Sequence, residues 1–525
     1  MSVLKSPCEA ELARHCAEAV SRPTASANAG PWILAATVLA SSMTFIDGTV
    51  VNVAIPTLQR ALHASIVDAQ WVVESYGLLL SALILVGGAL GDRLGRRAVF
   101  LAGVVIFAVA SAGCGAATDV HWLIFARSIQ GVGAALLVPG SLAIIAASFD
   151  EQSRGKAIGT WSGATSMTMA MGPVLGGWLI EHASWRWAFF LNLPLAVAVI
   201  VLSIGRVPES RAAGARKIDW TGAALAAIGL GALVAGLLEA GGVGWRNGRV
   251  AGLVAIGVVC LGAFLYFERR TSEPMVPLSI FHSGSFCAAN LITLLLYAAL
   301  GIFFFLYPLD LISVEGYSAT AAGAAALPLI LLVFLLSRWA GGLVAKYGGR
   351  LPLVIGPLII ACGFGFMAMA IAGGGYWRTF FPTFLVLGFG MSVTVAPLTT
   401  VVMSAADNNQ AGAASGINNA VARVAAVLAI AVLGLVMLGA FRAHLESNVA
   451  RLGVAQSTEQ EIAARSVQLT QLAAPAELDA EQREELRRLV NESFRSGLRL
   501  VLLCCIGLSI ASAVAAWLFV PGKPA

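Results

Sequence analysis

The chain has 525 residues, of which 58% are hydrophobic and only 12% are charged. Its mean hydropathy of +0.84 lies far above that of soluble globular proteins, so a soluble fold is excluded. The formal net charge of +5 does not indicate a nucleic-acid partner, because most basic residues fall in short segments between apolar runs and form no continuous basic face. The composition therefore predicts an all-α polytopic membrane protein embedded in a lipid bilayer.

Long apolar runs recur along the whole chain, and a membrane-spanning helix needs about 20 such residues. Fourteen segments meet this requirement. In chain order the predicted spans are 32–55, 70–90, 98–117, 122–148, 157–181, 187–206, 219–239, 250–268, 286–312, 321–345, 351–373, 378–403, 416–440 and 498–520.

The distribution of arginine and lysine between the short connections predicts the orientation of the spans. Connections that follow even-numbered spans are rich in basic residues, as in Arg93, Arg96 and Arg97, whereas the opposite connections hold few. Cytoplasmic loops carry such an excess, so both termini are predicted to be cytoplasmic in a multi-pass protein of the cell (inner) membrane. Residues 1–30 show no signal-peptide pattern, and we expect them to form a cytoplasmic tail.

The connection 441–496 is much longer than the others and is expected to lie outside the cell. After Leu478 its acidic residues precede its basic ones, which predicts a helix that continues into the last span. One interpretation is a structural amphipathic cap with no ligand of its own. The sequence identifies no periplasmic adaptor, and this segment is where we would look for one.

Four motifs on different spans carry further information. The connection between the second and third spans is glycine-rich and basic. The first span holds an aspartate and an asparagine near Pro56, the fourth holds an arginine followed by a glutamine, and the fifth holds a glycine–proline pair. In the connection, the residues are Gly88, Asp92, Arg93, Gly95, Arg96 and Arg97. The first span contributes Asp47 and Asn52, and the fourth contributes Arg127 and Gln130. The fifth contributes Gly159, Gly172, Pro173, Gly176 and Gly177.

Together these motifs resemble those of the major facilitator superfamily, and within it the 14-span drug:proton antiporters. The resemblance implies the major facilitator fold, with two six-helix bundles at residues 31–206 and 269–525. Residues 207–268 would form a linker and two inserted transmembrane helices, giving 14 transmembrane helices. The implied activity is proton-coupled antiport that exports hydrophobic or amphipathic small molecules.

Asp47, Glu74 and Arg127 are ionisable residues inside predicted spans. Counted from the span ends at 1.5 Å per residue, all three lie roughly 8–12 Å below the outer surface. Charges at that depth are costly unless they pair or face water, so we expect a polar cluster. Our hypothesis is that Asp47 is the main proton-coupling carboxylate, Arg127 is its partner or relay, and Glu74 is an accessory acid or a substrate contact. The alternative is that Asp47 and Arg127 form a permanent ion pair that locks two helices.

The resemblance also implies a substrate cavity between the bundles. We assign five polar residues to it, namely Asn52, Gln130, Asn418, Asn419 and Arg423. Few carboxylates other than Asp47 lie deep in the spans, which predicts a weaker preference for dications than for neutral or singly charged compounds.

The glycine-rich loop and the fifth span have implied mechanical roles. By resemblance, the loop containing Asp92, Arg93 and Arg97 gates the cytoplasmic side by exchanging charge pairs. Pro173 removes one helical hydrogen bond, and the neighbouring glycines allow another helix to approach closely, which predicts a hinge or a seal against leak. The alternative is ordinary packing of small residues.

Other classes of function find little support in the sequence. The six histidines include no pair of metal ligands inside the membrane, and no phosphate-binding loop is present, so we predict no metal, no cofactor and no enzyme activity. The expected partners are protons and a small-molecule substrate. A carrier of one specific metabolite and a non-transporting membrane sensor remain alternatives to multidrug efflux.

Overall fold

The computed structural model describes residues 29–149, 151–211, 219–271, 278–370, 375–405, 411–464 and 477–522, together with a few single residues between these ranges. The expected tail 1–30 lies almost entirely outside them. Among the described residues the secondary structure is entirely helical, and it confirms the predicted all-α class.

The described residues up to Arg270 form nine α-helices, of which we call the first seven the first half and the last two the inserted pair. They are α1 (Gly30–Leu62), α2 (Ile66–Leu94), α3 (Arg96–Gly115), α4 (Val120–Ser148), α5 (Glu151–His182), α6 (Trp187–Phe190), α7 (Asn192–Arg206), α8 (Trp220–Val243) and α9 (Gly248–Arg270).

The described part of the second half contains nine more α-helices and four short irregular helices. The α-helices are α10 (Gly284–Leu309), α11 (Ala319–Ala325), α12 (Leu327–Gly341), α13 (Leu343–Tyr347), α14 (Arg350–Ala370), α15 (Phe381–Ser404), α16 (Ala411–Asn448), α17 (Gln456–Ala464) and α18 (Ala480–Phe519). The π-helical segments are Asp310–Val314 and Tyr376–Phe380, and the 3₁₀ segments are Leu278–His282 and Val449–Leu452.

Every predicted span coincides with one helix or with consecutive helices. Within the described ranges, 13 helical stretches are long and apolar enough to cross a membrane. The predicted span 157–181 corresponds to α5, which has 32 residues and is long enough, although it is less apolar than the others. It is less apolar because many of its positions are glycine, serine or threonine, the residues that let membrane helices approach one another.

The predicted tenth span, 321–345, is broken into α11, α12 and α13. Pro328 lies at the start of α12 and has no amide hydrogen to donate to the preceding turn, so the helix restarts there. The ninth span also departs from a regular helix, because α10 continues into the π-helical segment Asp310–Val314. An apolar run alone does not reveal either break.

The helix predicted after Leu478 is confirmed. Asp479 caps the start of α18 by accepting a hydrogen bond from the amide of Gln482 at 2.7 Å, and the Gln482 side chain accepts one from the amide of Asp479 at 3.2 Å. This reciprocal capping box fixes the start of a 40-residue helix. Residues of the long connection, including Val449 and Ile462, are buried in the same core as Phe494.

The bundle has two ends, which we name by what they carry. The loop end carries the turn around Gly95 between α2 and α3, and the cap end carries the described residues of the segment 449–479. At the cap end, apolar residues of the first half such as Ile55 and Ile66 share a core with Leu309 and Leu311 of the second half. The two halves are therefore packed together at the cap end.

The inserted pair α8 and α9 lies beside the central helices. Leu230 and Val234 of α8 pack with Leu78 of α2 and Val427 of α16. Only 11% of the most apolar stretch of α9 is buried. The pair therefore contacts both halves through α8 and leaves α9 facing outward.

Candidate functional site

Asp47 of α1 and Arg127 of α4 form an ion pair inside the first half. Each side chain is only 1% exposed. Arg127 donates from Nη1 to Oδ2 of Asp47, and from Nε to the carbonyl oxygen of Val72 at 3.1 Å. The guanidinium therefore links three helices, α1, α2 and α4.

Other polar side chains complete the environment of the Asp47 carboxylate. Its Oδ1 accepts hydrogen bonds from Gln130 at 2.8 Å and from Asn192 at 3.3 Å. Gln130 in turn accepts from Arg127 at 2.7 Å, and Asn192 donates to the hydroxyl of Ser111 at 2.9 Å. These residues of α1, α3, α4 and α7 form one connected network, which we call the Asp47 network.

An aromatic face covers the charged end of Arg127. The guanidinium carbon lies 4.2 Å from the centroid of the Tyr76 ring and 5.9 Å from that of Phe189. Such contacts stabilise a cation where water is excluded. The Asp47 carboxyl group therefore faces one cation and two amide donors, and a helix movement that separated these donors would leave a buried carboxylate there uncompensated.

Glu74 is buried but does not belong to this network. Its side chain is 0% exposed, and neither carboxyl oxygen has a hydrogen-bond partner among the described residues. It lies one helical turn from Gln70, which donates to the carbonyl oxygen of Ile430, and close to Gly77, which faces Val427. Glu74 therefore lies on the face of α2 that packs against α16, between the two halves.

The five residues assigned to a substrate cavity differ in burial and in hydrogen-bond partners. Gln130 is 0% exposed and belongs to the Asp47 network, so it does not line an open cavity. Asn52 is half-buried and its Oδ1 has no hydrogen-bond partner among the described residues. Asn418 donates to Thr293 at 2.7 Å, whereas Asn419 is exposed.

Arg423 belongs to α16 and is half-buried. It interacts electrostatically with Tyr76 of the first half, whose ring also contacts Arg127. Val427, one turn further along α16, packs against Gly77 and Leu78 of α2, which places Arg423 at the contact between the bundles.

The glycine-rich loop is attached to the linker that follows α7. Arg97 donates from Nη1 to the carbonyl oxygen of Val207 at 3.0 Å. The amide of Arg96 donates to the carbonyl oxygen of Ser210 at 2.9 Å. Asp92 pairs with Arg96 one turn away at 2.8 Å. The described charge pairs of the loop thus remain within the first half and its linker.

Glu209 is a participant in this loop that the sequence analysis missed. Its carboxylate accepts from the amides of Arg97 at 3.0 Å and Ala98 at 3.1 Å, at the start of α3. Gly95 has φ +124°, and a Cβ there would lie 2.8 Å from the Glu209 carboxylate. Glycine is required because L side chains rarely adopt this positive φ, and a side chain would in addition displace that carboxylate. Gly88 is less constrained, since a Cβ there would lie 3.7 Å from Pro139, an ordinary packing distance.

The glycines of α5 lie at two very close helix contacts. A Cβ on Gly172 would overlap Thr49 of α1, and one on Gly176 would meet Val50. A Cβ on Gly177 would overlap the carbonyl oxygen of Ala319 in α11. The surroundings of Gly159 lie outside the described side chains.

The contact between α5 and α11 is reciprocal. Gly323 of α11 faces the carbonyl oxygen of Pro173, so each helix presents a glycine to the backbone of the other. Next to this contact the hydroxyl of Thr320 donates to Glu181 at 2.6 Å. The glycine–proline motif therefore joins the two halves at the cap end.

Three buried polar residues could not be recognised as important from the sequence, two of them in the Asp47 network and one outside it. Ser111 and Asn192 lie in apolar runs, where serine and asparagine are common and bond to their own helix. Asp310 is 3% exposed, and its Oδ1 has no hydrogen-bond partner among the described residues. It lies near the end of a predicted span, where a carboxylate is expected to reach water.

A family model described as Major Facilitator Superfamily matches residues 37–225 and 219–430, which is most of the chain. The chain belongs to the major facilitator superfamily. The matched range of this superfamily member includes Asp47, Arg127, the glycine-rich loop and the α5 motif.

Two curated relatives of this major facilitator protein match 80% or more of its length. The tetracenomycin C resistance and export protein of Streptomyces glaucescens is 31% identical over 503 residues, covering 94% of this chain and 92% of that protein. The multidrug resistance protein Stp of Mycobacterium tuberculosis (strain CDC 1551 / Oshkosh) is 33% identical over 427 residues, covering 80% and 78%.

Among solved structures, a bacterial homolog of the human lysosomal transporter Spinster, in an inward-facing and unoccupied conformation, matches with a TM-score of 0.66. The two sequences are 17% identical, and the match covers 94% of this chain and 98% of the other. This likeness supports the major facilitator fold of the chain.

Proposed function

We propose that this protein is a secondary active transporter that exports hydrophobic or amphipathic small molecules in exchange for protons. The observation that carries the proposal is the Asp47 network, a buried carboxylate held by Arg127, Gln130 and Asn192 from other helices. Ionisable groups inside a membrane bundle mark ion pathways, because their burial is otherwise too costly to retain. The resistance and export named for the Streptomyces relative, and the multidrug resistance named for Stp, support the same function.

In the proposed cycle, Asp47 gains a proton when the helices around it move and its donors separate. Protonation removes the negative charge that pairs with Arg127. The guanidinium is then free to leave Asp47, and its departure stabilises the new packing of the helices. Glu74, buried without a hydrogen-bond partner among the described residues, is stable between the halves only in its neutral form. It acts as an accessory acid that exchanges its proton when α2 and α16 separate.

The cap end faces outward in this proposal, and both termini are cytoplasmic in the cell membrane. The glycine-rich loop then faces the cytoplasm, as its arginines favour. The first bundle is 31–206, the linker and inserted helices are 207–268, and the second bundle is 269–525. The segment 441–496 is external.

Substrates bind between the halves, near Asn52 and Arg423. Asn52 offers on α1 an amide oxygen that no described residue engages, and Arg423 offers a cation on α16. Asp47 is neutralised by Arg127, so the Asp47 network contributes no free carboxylate to this region. Neutral or singly charged compounds are therefore preferred over dications.

The decisive experiment uses purified protein in liposomes that enclose a pH-sensitive dye and carry an imposed pH gradient. A panel of lipophilic dyes and antibiotics is added to the wild type and to Asp47→Asn. We expect substrate-dependent proton flux in the wild type and its loss in the variant, because asparagine keeps the shape of the side chain but cannot exchange a proton.

The control is Asp47→Glu, which retains a titratable group and is expected to keep part of the flux. Wild-type flux in Asp47→Asn would remove Asp47 from the coupling site. Loss of the folded Asp47→Asn protein would instead favour a permanent ion pair that locks α1 to α4. Absence of flux with every compound would point to a carrier of one metabolite.

A further inference from the structure

Asp310 is a buried carboxyl group that the proposed mechanism does not use. It follows Pro308 at the end of α10 and opens the π-helical segment Asp310–Val314. The side chain is 3% exposed, and its Oδ1 accepts no hydrogen bond from any described residue. Most buried polar atoms in proteins are hydrogen-bonded, so this carboxyl requires an explanation.

The position of Asp310 connects it to the closed cap end. Its neighbours Leu309 and Leu311 are 0% exposed and share a core with Ile55 and Ile66 of the first half. Ile312 of the same π-helical segment packs against a first-half core that includes Leu58 and Val72. Separation of the halves at this end would therefore uncover the segment and admit water to it. Burial of Asp310 is therefore tied to closure of the cap end.

Two charged groups face Asp310 from the described residues, Glu315 from the end of its own segment and Arg495 from α18. Arg495 donates to Glu315 at 2.8 Å, and its own Nε is buried with no partner among the described residues. The adjacent helix α11 contributes no titratable side chain. The cation beside Asp310 is thus engaged by Glu315, and Asp310 has no direct ion pair with any described residue.

We propose that Asp310 is a second proton-binding site that acts as a latch, holding its proton while the cap end is closed and exchanging it with external water only when that end opens. A bare carboxylate without a partner is too costly to bury, so closure requires the neutral form. The proton enters and leaves on the same side, so the latch changes the pH dependence of transport and not the number of protons exchanged per substrate. This inference rests on the proposed antiport cycle.

The latch makes the ratio of closed to open molecules depend on pH. A difference of one bound proton changes that ratio by at most about tenfold per pH unit. The closed form binds the additional proton, so raising the pH favours opening at the cap end.

The test measures the distance between the halves at the cap end by electron spin resonance. Spin labels are attached at Ala61→Cys on α1 and Glu446→Cys on α16, both exposed positions. The background is a transport-competent variant whose native cysteines have been replaced. For wild-type Asp310 we expect longer distances to become more populated as the pH rises from about 5 to 9.

Asp310→Asn mimics the neutral carboxyl and should retain the fold. We expect it to weaken the pH response, with at least about a tenfold loss of the open population at high pH. Glu74, the other carboxyl buried between the halves, accounts for the remaining response, which should disappear when Glu74→Gln is added. Asp310→Glu should restore the pH response. An Asp310→Asn protein that keeps the wild-type pH dependence would overturn the latch.

Asp47→Asn separates this inference from the proposed function. We expect it to lose substrate-dependent proton flux, while Asp310→Asn added to it still reduces the dependence of the distances on pH. If wild-type protein shows the pH response but no flux with any compound, the latch stands and the antiport proposal fails. If Asp310→Asn also changes the number of protons exchanged per substrate, Asp310 is a coupling site and the latch is wrong.

Discussion

At the scale of single residues, the structure contains two kinds of buried carboxyl group. Asp47 accepts hydrogen bonds from three side chains and is matched by Arg127, whereas Glu74 has no hydrogen bond from any described residue. A matched carboxylate is held in its charged form, while an unmatched one is tolerated only when neutral. The two groups should therefore respond differently to removal of their charge.

Glu74→Gln tests this difference. Glutamine has nearly the same shape as a neutral glutamic acid, and no described hydrogen bond is lost, so the free energy of unfolding in detergent should change by less than about 1 kcal/mol. Asp47→Ala is the matched comparison, since it leaves Arg127 buried without its partner and should cost about 3–5 kcal/mol. A loss of several kcal/mol in Glu74→Gln would show that Glu74 is charged and paired.

The contact between Asp47 and Arg127 could be anticipated from the sequence, because charges at one depth in a membrane must find each other. The positions of Ser111 and Asn192 could not, since a serine or asparagine in an apolar run carries no information about a partner on another helix. The prediction that Gln130 lines the substrate cavity meets the same limit, because the sequence does not show which partner an amide has. The Gln130 amide can bond in either environment, and only the tertiary fold decides between them.

At the scale of helices, the most constrained contact is that between α5 and α11. Each helix places a glycine against a backbone carbonyl of the other, through Gly177 with Ala319 and Gly323 with Pro173. The sequence predicted close packing of α5 but not its partner, because the tenth span reads as one continuous apolar run. The break after Ala325 that makes α11 a separate short helix arises from proline placement and packing.

Gly177→Ala should weaken closure of the cap end, because the added methyl group overlaps the carbonyl oxygen of Ala319. Overpacking of this kind costs about 1–3 kcal/mol, which corresponds to a shift of about 5- to 150-fold in a two-state equilibrium. The measurement is the rate of oxidative cross-linking between Glu181→Cys and Thr320→Cys, with the linked peptides quantified by mass spectrometry. We expect the rate to fall.

Gly262→Ala provides the control for this substitution. Gly262 lies in α9, and a Cβ there would meet nothing within 4 Å among the described residues. The same glycine-to-alanine change should therefore leave the cross-linking rate unaltered. Equal rates in all three proteins would mean that the close contact between α5 and α11 does not limit closure.

At the scale of the whole molecule, the linker after α7 is fastened to the loop end of the first half. Glu209 accepts two amide hydrogen bonds from the first turn of α3, and Arg97 reaches back to Val207. The same linker leads to the inserted helices, which contact both halves through α8. The resemblance predicted two bundles and an inserted pair, but the attachment of the loop to the linker depends on a glutamate that belongs to no recognised motif.

Glu209→Gln should loosen this attachment. A carboxylate at a helix N-terminus is favoured by both its hydrogen bonds and the helix dipole, and its loss costs about 1 kcal/mol. Amide hydrogen exchange of the peptide that contains Arg97 and Ala98 should accelerate by about fivefold. Glu484→Gln, which breaks an exposed pair with Arg488, should leave that peptide unchanged. Unaltered exchange in Glu209→Gln would show that the linker does not hold the loop.

The length of α18 has a practical consequence for imaging this molecule. A continuous helix of 40 residues extends about 60 Å, roughly twice the thickness of the hydrocarbon layer. Its first turns and the buried residues of the cap share one core, so the cap cannot rotate independently of the second half. An antibody fragment bound to the cap would therefore act as a rigid fiducial marker, reporting the orientation of that half in single-particle electron micrographs.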